Sequence, residues 1–105
     1  MIEVAGTTAV DESGEVVGLN DPYKQTKYVL SKIKRALNQA GGSLEDIIRT
    51  RMYVVDINHW EEIGKLMLCF FLTIKSAATM VEVKSLINPE LLVEIEVTAV
   101  VEKGR

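Results

Sequence analysis

Residues 77–101, with the sequence AATMVEVKSLINPELLVEIEVTAVV, indicate the fold more clearly than any other stretch of the chain. They predict two β-strands joined by a short polar loop, because Asn88 and Pro89 are residues that end strands and form turns. In the second strand, apolar residues alternate with polar ones. A period of two therefore places one face on a hydrophobic core and points Glu94 and Glu96 to the opposite face.

The first of these strands alternates in the same way, and we interpret the pair as a closing hairpin. The sequence leaves two explanations open for the face with the glutamates: an ordinary solvated sheet surface, or a functional site. We expect Thr79, Val81 and Val83 on the core side, and Ala78, Met80 and Glu82 on the side of Glu94 and Glu96.

The length and composition indicate one globular domain. A chain of 105 residues is enough for a single core, and its 48% apolar and 26% charged residues are ordinary for a globular protein. No apolar run reaches the roughly 18 residues that a membrane span needs, so we expect no membrane association. The lack of an export signal after Met1 predicts a cytoplasmic location, and the single cysteine, Cys69, agrees with a reducing compartment.

The charge distribution argues against a nucleic-acid partner. The formal net charge is −3, and lysines and arginines are dispersed along the chain, whereas nucleic-acid-binding domains concentrate them. Several basic residues do fall on the first predicted helix, where a solvated helix face is the preferred explanation. No metal is expected, because His59 has no further histidine, cysteine or carboxylate at ligand spacing.

The first part of the chain predicts a hairpin followed by a helix. Apolar residues on both sides of the turn residues 11–14 predict a β-hairpin over residues 2–17. Asp21 is suited to an N-cap and the proline after it to a first helical turn. Apolar residues at three- and four-residue spacing continue from there, and a pair of glycines, Gly41 and Gly42, ends the helix.

The stretch IIRTRMYVV, residues 47–55, predicts a central strand because it is rich in β-branched and aromatic residues. Two arginines on a half-buried strand need anionic partners, and the glutamates of the last two strands are the candidates. The alternation assigns Ile48, Thr50, Met52 and Val54 to one face and Arg49, Arg51 and Tyr53 to the other.

A second helix is predicted from about residue 59 to 73, with a capping-box-like start at Asn58. Leu68 and Leu72 lie off its apolar stripe, so we expect either altered helix packing or a partner to cover them. The element order β-β-α-β-α-β-β predicts an α+β fold with a mixed sheet and both helices on one sheet face. The other face mixes charged and apolar residues, which suits a protein interface.

Five motifs in order give the chain a resemblance to a known family. They are VAGTTAVDESGEVVG, DPYKQTKYVLSKIKRALNQAGGSLEDIIRTRMYVVDI, CFF, ATMVEV and LVEIEVTAV. This set resembles the YjgF family, the reactive intermediate deaminases or Rid proteins, once described as translation inhibitors and L-PSP endoribonucleases. The resemblance implies a chorismate mutase-like fold and a homotrimer with three clefts between subunits. Residues 1–105 are then one Rid-like domain that lacks part of the family's N-terminal segment.

The resemblance also implies a site. Family deaminases hydrolyse small enamines and imines without a cofactor, using an acidic residue for the attacking water and an arginine for the substrate carboxylate. Glu94 matches the acid, and Gly6 matches backbone that approaches the ligand. Ala78 stands where the family has the arginine, and Met80 where many members have a cysteine. We expect weak binding of small carboxylates and weak deamination of 2-iminopropanoate or 2-iminobutanoate.

Three functions remain open at this point. The first is a hydrolase in which Arg51 or Arg49 supplies the missing arginine, although pairing with Glu94 or Glu96 is the preferred explanation for Arg51. The second is a non-catalytic homotrimer that binds a small metabolite or regulates a partner. The third, an RNA-acting translation inhibitor, is disfavoured by the acidic charge balance.

Overall fold

The computed structural model describes residues 1–70 and 77–101. Two single turns of 3-10 helix, Leu44–Asp46 and Ile57–His59, stand before the second strand and the second helix. The strands and helices are β1 (Ile2–Thr8), α1 (Pro22–Gln39), β2 (Ile47–Val54), α2 (Trp60–Phe70), β3 (Ala77–Glu82) and β4 (Val93–Ala99).

The four strands form one mixed sheet in the order β1-β4-β2-β3. β4 is antiparallel to both of its neighbours, and β2 is parallel to β3. The predicted α+β class and mixed sheet are confirmed. The predicted closing hairpin is wrong, because β2 lies between β3 and β4. Parallel neighbours need a crossover connection, which α2 provides, and β4 then takes the other side of β2.

The predicted N-terminal hairpin is only partly formed. β1 is a full strand, but its return arm is reduced to a single antiparallel bridge between Val10 and Val16. Asp11 uses its side chain to accept hydrogen bonds from the backbone amides of Ser13 and Glu15, at 2.9 and 3.0 Å, which closes a compact turn.

The helix α1 forms as its sequence predicts. The Asp21 carboxylate accepts a hydrogen bond from the Lys24 amide at 3.0 Å, and Pro22 lies in the first turn. Gly41, with φ of +87°, takes the left-handed conformation after the helix C-terminus. The buried face of α1 packs against β1, β4 and α2. Its fully buried apolar residues are Val29, Leu30, Ile33 and Leu37.

The central strand departs from simple alternation at its start. Thr50, Met52 and Val54 are buried as predicted, but Ile48 is 50% exposed and Ile47 is buried in its place. The pairing of β2 with β4 shifts register between Ile47 and Arg49. This bulge inserts one extra residue and reverses the side-chain direction, so the predicted inward position of Ile48 is wrong.

The predicted face of Met80 and Glu82 is also wrong. The parallel register pairs Met80 with Met52 and Glu82 with Val54, so both lie on the helix-covered side of the sheet. Met80 packs at the edge of the core. Both faces of β3 carry apolar residues, so a period of two alone does not decide which face of this strand points to the core.

The second helix begins slightly later than predicted. Asp56 caps the preceding 3-10 turn through the Asn58 amide at 3.0 Å, and Glu82 accepts a hydrogen bond from the Ile57 amide at 3.0 Å. The predicted covering of Leu68 and Leu72 concerns side chains outside the described part of the chain, and it stays a prediction. No described helix has the length and apolar character to cross a membrane.

Candidate functional site

The sheet side that neither α1 nor α2 covers carries most of the polar residues of the strands. We call it the carboxylate face. Cross-strand pairing sets Arg51 opposite Glu96 and Tyr53 opposite Glu94, so the arginine and the glutamates predicted for one face do share it. The carboxylate face consists of Glu3, Arg49, Arg51, Tyr53, Glu94 and Glu96.

Glu96 is held by two donors from β2. Arg51 Nε donates to Glu96 Oε1 at 2.5 Å, and the Tyr53 hydroxyl donates to the same oxygen at 2.8 Å. The hydrogen bond from Arg51, and then that from Tyr53, lowers the pKa of Glu96 below its usual range. A second carboxylate, Glu3, lies 3.9 Å from Arg51 Nη2. The preferred prediction, that Arg51 pairs with a glutamate of β4, is confirmed.

The hydrogen bond to Glu96 also affects its two donors. It raises the pKa of the Tyr53 hydroxyl and the pKa of the Arg51 guanidinium, because each group is better bound to the carboxylate while it keeps its proton. Arg51 is therefore committed to a structural ion pair. Two explanations were considered for Arg51. The one in which Arg51 replaces the family's substrate-binding arginine loses its main support.

Glu94 has a different environment from Glu96, although only one residue separates them. It is half-buried, and its cross-strand neighbours are Tyr53 on β2 and Thr8 on β1. Within residues 1–70 and 77–101, no group donates a hydrogen bond to its carboxylate or forms an ion pair with it. A half-buried carboxylate without a partner is able to accept a proton from water or from an N–H group of a ligand.

Gly6 creates the space that the Glu94 carboxylate occupies. The pairing of β1 with β4 shifts register between Val4 and Thr7, and this irregularity brings Gly6 against the glutamate. A methyl group on Gly6 would lie 2.6 Å from Glu94 Oε2 and 2.8 Å from its Cδ. The structure thus brings together Gly6 and Glu94, two of the predicted site residues.

The comparison with known proteins identifies the family. A family model described as Endoribonuclease L-PSP matches residues 1–101. Rv2704 of Mycobacterium tuberculosis, a member of the YjgF/YER057c/UK114 family, is 44% identical, with a TM-score of 0.83 over 94% of this chain and 77% of that one. The chain belongs to the YjgF/Rid family.

Two Yersinia pestis proteins of the Rid family show the same fold. YyfB is 35% identical, with a TM-score of 0.89 over 95% of this chain and 77% of its own. YyfA is 33% identical, with a TM-score of 0.88 over 94% of this chain and 79% of its own. The Rid fold predicted from the sequence is therefore confirmed by structural similarity.

The other predicted site residues of this Rid-family chain lie elsewhere. Ala78 pairs with Thr50 and Met80 with Met52, which puts both on the helix side of the sheet, opposite to Glu94. Within one chain, β3 thus brings neither residue to the glutamate. Arg49 is exposed on the carboxylate face, and it forms no ion pair within the described parts of the chain.

Sequence reasoning missed two features of the site. Glu3 was not connected with Arg51, because only the strand order β1-β4-β2 brings the two residues within 3.9 Å. The second feature is the close approach of the Glu94 carboxylate to Gly6. It depends on the irregular pairing of β1 with β4, and no sequence motif indicates this irregularity. Among residues 1–70 and 77–101, no group of histidine, cysteine and acidic side chains is arranged to hold a metal ion.

Proposed function

We propose that this Rid-family chain binds small imines beside Glu94 and hydrolyses them, with weak turnover of 2-iminopropanoate. The observation that supports this most strongly is the Glu94 carboxylate, half-buried and without a partner in the described residues, at the position of the family's acidic residue. A carboxylate so placed acts as a general base on water. The attacking water adds to the imine carbon, the C–N bond then breaks, and a carbonyl compound and ammonia leave.

The proposed cleft lies between subunits of a homotrimer. Support comes from the separation of the predicted site residues, since Ala78 and Met80 lie on the opposite side of the sheet from Glu94. Only a neighbouring copy is able to bring the β3 residues to this glutamate. The exposed apolar residues Ile48 and Val81, 50% and 40% exposed, give the sheet surface a character that suits subunit contact.

One observation favours a second candidate, a homotrimer that binds a ligand without turnover. Ala78 cannot orient a substrate carboxylate, and Arg51 is occupied by Glu96 at 2.5 Å. A substrate that lacks an orienting contact loses much of the rate advantage that positioning provides.

The two candidates are separated by the rate of ammonia release from 2-iminopropanoate, generated in situ from alanine by an amino-acid oxidase. Hydrolysis at Glu94 predicts a slow but measurable acceleration, which Glu94→Gln reduces by about 10²-fold or more, as expected for loss of a general base. Glu15→Gln removes one charge from an exposed turn and is the matched control. No acceleration by the unmodified protein would support binding without turnover.

A further inference from the structure

The charges around Glu94 bear on the kind of ligand that the site takes. Among the described residues, the carboxylate face carries the cations Arg51 and Arg49, and Arg51 is shared between Glu96 at 2.5 Å and Glu3 at 3.9 Å. Arg49 precedes Tyr53, the cross-strand neighbour of Glu94, by four residues on β2. This spacing corresponds to about 13 Å along a strand. The described residues thus leave the charge of Glu94 uncompensated.

Among the described residues, no positively charged group forms an ion pair with Glu94, and the ammonium of Lys32 donates instead to the carbonyl oxygens of Thr8 and Val10 at 2.8 and 2.9 Å. Gly6 offers only backbone, Thr8 contributes a neutral hydroxyl group, and Tyr53 directs its hydroxyl to Glu96 at 2.8 Å. A ligand that carries a carboxylate is repelled at this position by the like charges of Glu94 and Glu96, which disfavours its binding. A ligand that brings a cationic N–H group gains a charge-assisted hydrogen bond instead.

We infer that the Glu94 site selects small amines and imines without a carboxylate group, bound as their cations. This inference rests on the proposed function for its site and adds the substrate class. The positively charged nitrogen lies at the Glu94 carboxylate, which takes its position against Gly6 because that residue has no side chain. In the hydrolysis of such an iminium cation, water forms the new C–O bond while Glu94 takes one of its protons and passes it to the nitrogen. The electron pair of the broken C–N bond then goes to nitrogen, the remaining hydroxyl proton is transferred through Glu94 to the departing ammonia, and an aldehyde and ammonium leave. No oxidant or cofactor enters the balance.

Binding of two probes with the same carbon skeleton tests the substrate class. Propylammonium and propionate are titrated into the assembled protein, and amide chemical shifts of Gly6, Thr8 and Glu94 are followed by NMR. We expect propylammonium to bind at least about tenfold more tightly than propionate, because one pairs with the glutamate and the other is repelled. Glu94→Gln should reduce this preference to less than about twofold, and Glu15→Gln should leave it intact.

Equal affinities, tighter binding of propionate, undetectable binding of both, or a preference that survives Glu94→Gln would each overturn the inference. A turnover comparison separates it from the proposed function. Preference for propylammonium without hydrolysis of any imine refutes the hydrolase and keeps the selectivity. Hydrolysis of 2-iminopropanoate as fast as that of 1-iminopropane, generated from propylamine by an amine oxidase, keeps the hydrolase and refutes the selectivity.

Discussion

Gly6 determines where the Glu94 carboxylate lies, and this gives a prediction for a single methyl group. Gly6→Ala places Cβ 2.6 Å from Glu94 Oε2, so the carboxylate must move. The atom that moves is the end of a flexible side chain, and the free energy of unfolding should fall by less than about 1 kcal/mol. Binding of propylammonium should weaken by about tenfold or more, since the charge-assisted hydrogen bond is lost.

Gly64→Ala is the matched control for this change. Gly64 lies within α2, and a Cβ there would meet no atom within 4 Å. Alanine in a helix is favoured over glycine by about 0.5–1 kcal/mol, so this variant should gain stability and bind ligand normally. Thermal unfolding and NMR titration measure both effects. Normal binding by Gly6→Ala would show that Gly6 does not position Glu94.

Glu96 should make the stability of the protein depend on pH. Its pKa is lowered in the folded state, first by Arg51 and then by Tyr53. The unfolded state then binds the proton more readily, so the stabilisation is present above the ordinary carboxyl pKa of about 4.3 and is lost as the pH falls through the folded-state value. Glu96→Gln should therefore be destabilising at pH 7, and the difference from the unmodified protein should become smaller as the pH is lowered to 3.

Urea unfolding at the two pH values measures this effect. Glu15→Gln, which changes an exposed turn residue without an ion pair in the described residues, should show no comparable pH dependence. If Glu96→Gln lowers stability equally at pH 7 and pH 3, the ion pair with Arg51 is not its cause.

At the scale of single elements, Gln25 fixes the approach to β4. This side chain of α1 is fully buried, and its Nε2 donates to the carbonyl oxygens of Gly18 at 3.1 Å and Glu90 at 2.9 Å. Its Oε1 accepts from the Leu92 amide at 2.8 Å. Gln25 thus ties the loop before α1 to the residues that lead into β4 and Glu94.

Gln25→Leu removes all three hydrogen bonds while it keeps a side chain of similar volume at this position. Each backbone group left unpaired costs about 1–3 kcal/mol, and partial access of water reduces the sum, so we expect a loss of about 2–4 kcal/mol in unfolding free energy. Gln39→Leu at the exposed end of the same helix is the control and should change little. Urea denaturation decides, and a loss below about 0.5 kcal/mol for Gln25→Leu would contradict this role.

The elements differ in how far their sequences predict them. α1 was predictable because cap, periodicity and terminal glycine all agree, and β4 because its alternation is unambiguous. The orientation of β3 could not be predicted, since Val81 and Met80 are both apolar. Only the pairing of β3 with β2 selects which of the two faces the core. The strand order was inaccessible for a related reason: the sequence of the loop between β3 and β4 fits a hairpin, while the parallel pairing depends on the whole sheet.

Polar residues with tertiary partners were also beyond the sequence. Lys32 is one of the basic residues of the first helix for which a solvated helix face was the preferred explanation. Its ammonium instead donates to the carbonyl oxygens of Thr8 at 2.8 Å and Val10 at 2.9 Å. A lysine on a helix is most often solvated, and only the position of β1 beside α1 provides these acceptors. In the candidate site, Glu94 and Gly6 were inferred from family resemblance, whereas the commitment of Arg51 to Glu96 was one of two physical alternatives.

At the scale of the whole molecule, we predict a homotrimer formed through the carboxylate face. Light scattering should give about 35 kDa, three times the chain mass of 11.7 kDa. Val81 lies on this side of the sheet and is 40% exposed. Val81→Glu adds a further carboxylate to this side of the sheet, next to Tyr53 on β2, and should dissociate the assembly, because charge buried without a partner is costly.

Ile87→Glu is the control for assembly, because Ile87 is 93% exposed in the loop between β3 and β4. It should leave the mass unchanged. A monomer of the unmodified protein at about 10 µM would contradict the trimer, since stable homo-oligomers dissociate well below that concentration. A trimer that Val81→Glu leaves intact would place the subunit contact on another surface.

The central claim is that Glu94 is open to a small cationic ligand in the assembled protein. A crystal structure of the protein soaked with propylammonium tests it most directly. We predict the ligand nitrogen at about 2.8 Å from a Glu94 carboxylate oxygen, beside the backbone of Gly6. A Glu94 carboxylate paired with a lysine or arginine of its own or a neighbouring chain, with no ligand bound there, would contradict the claim.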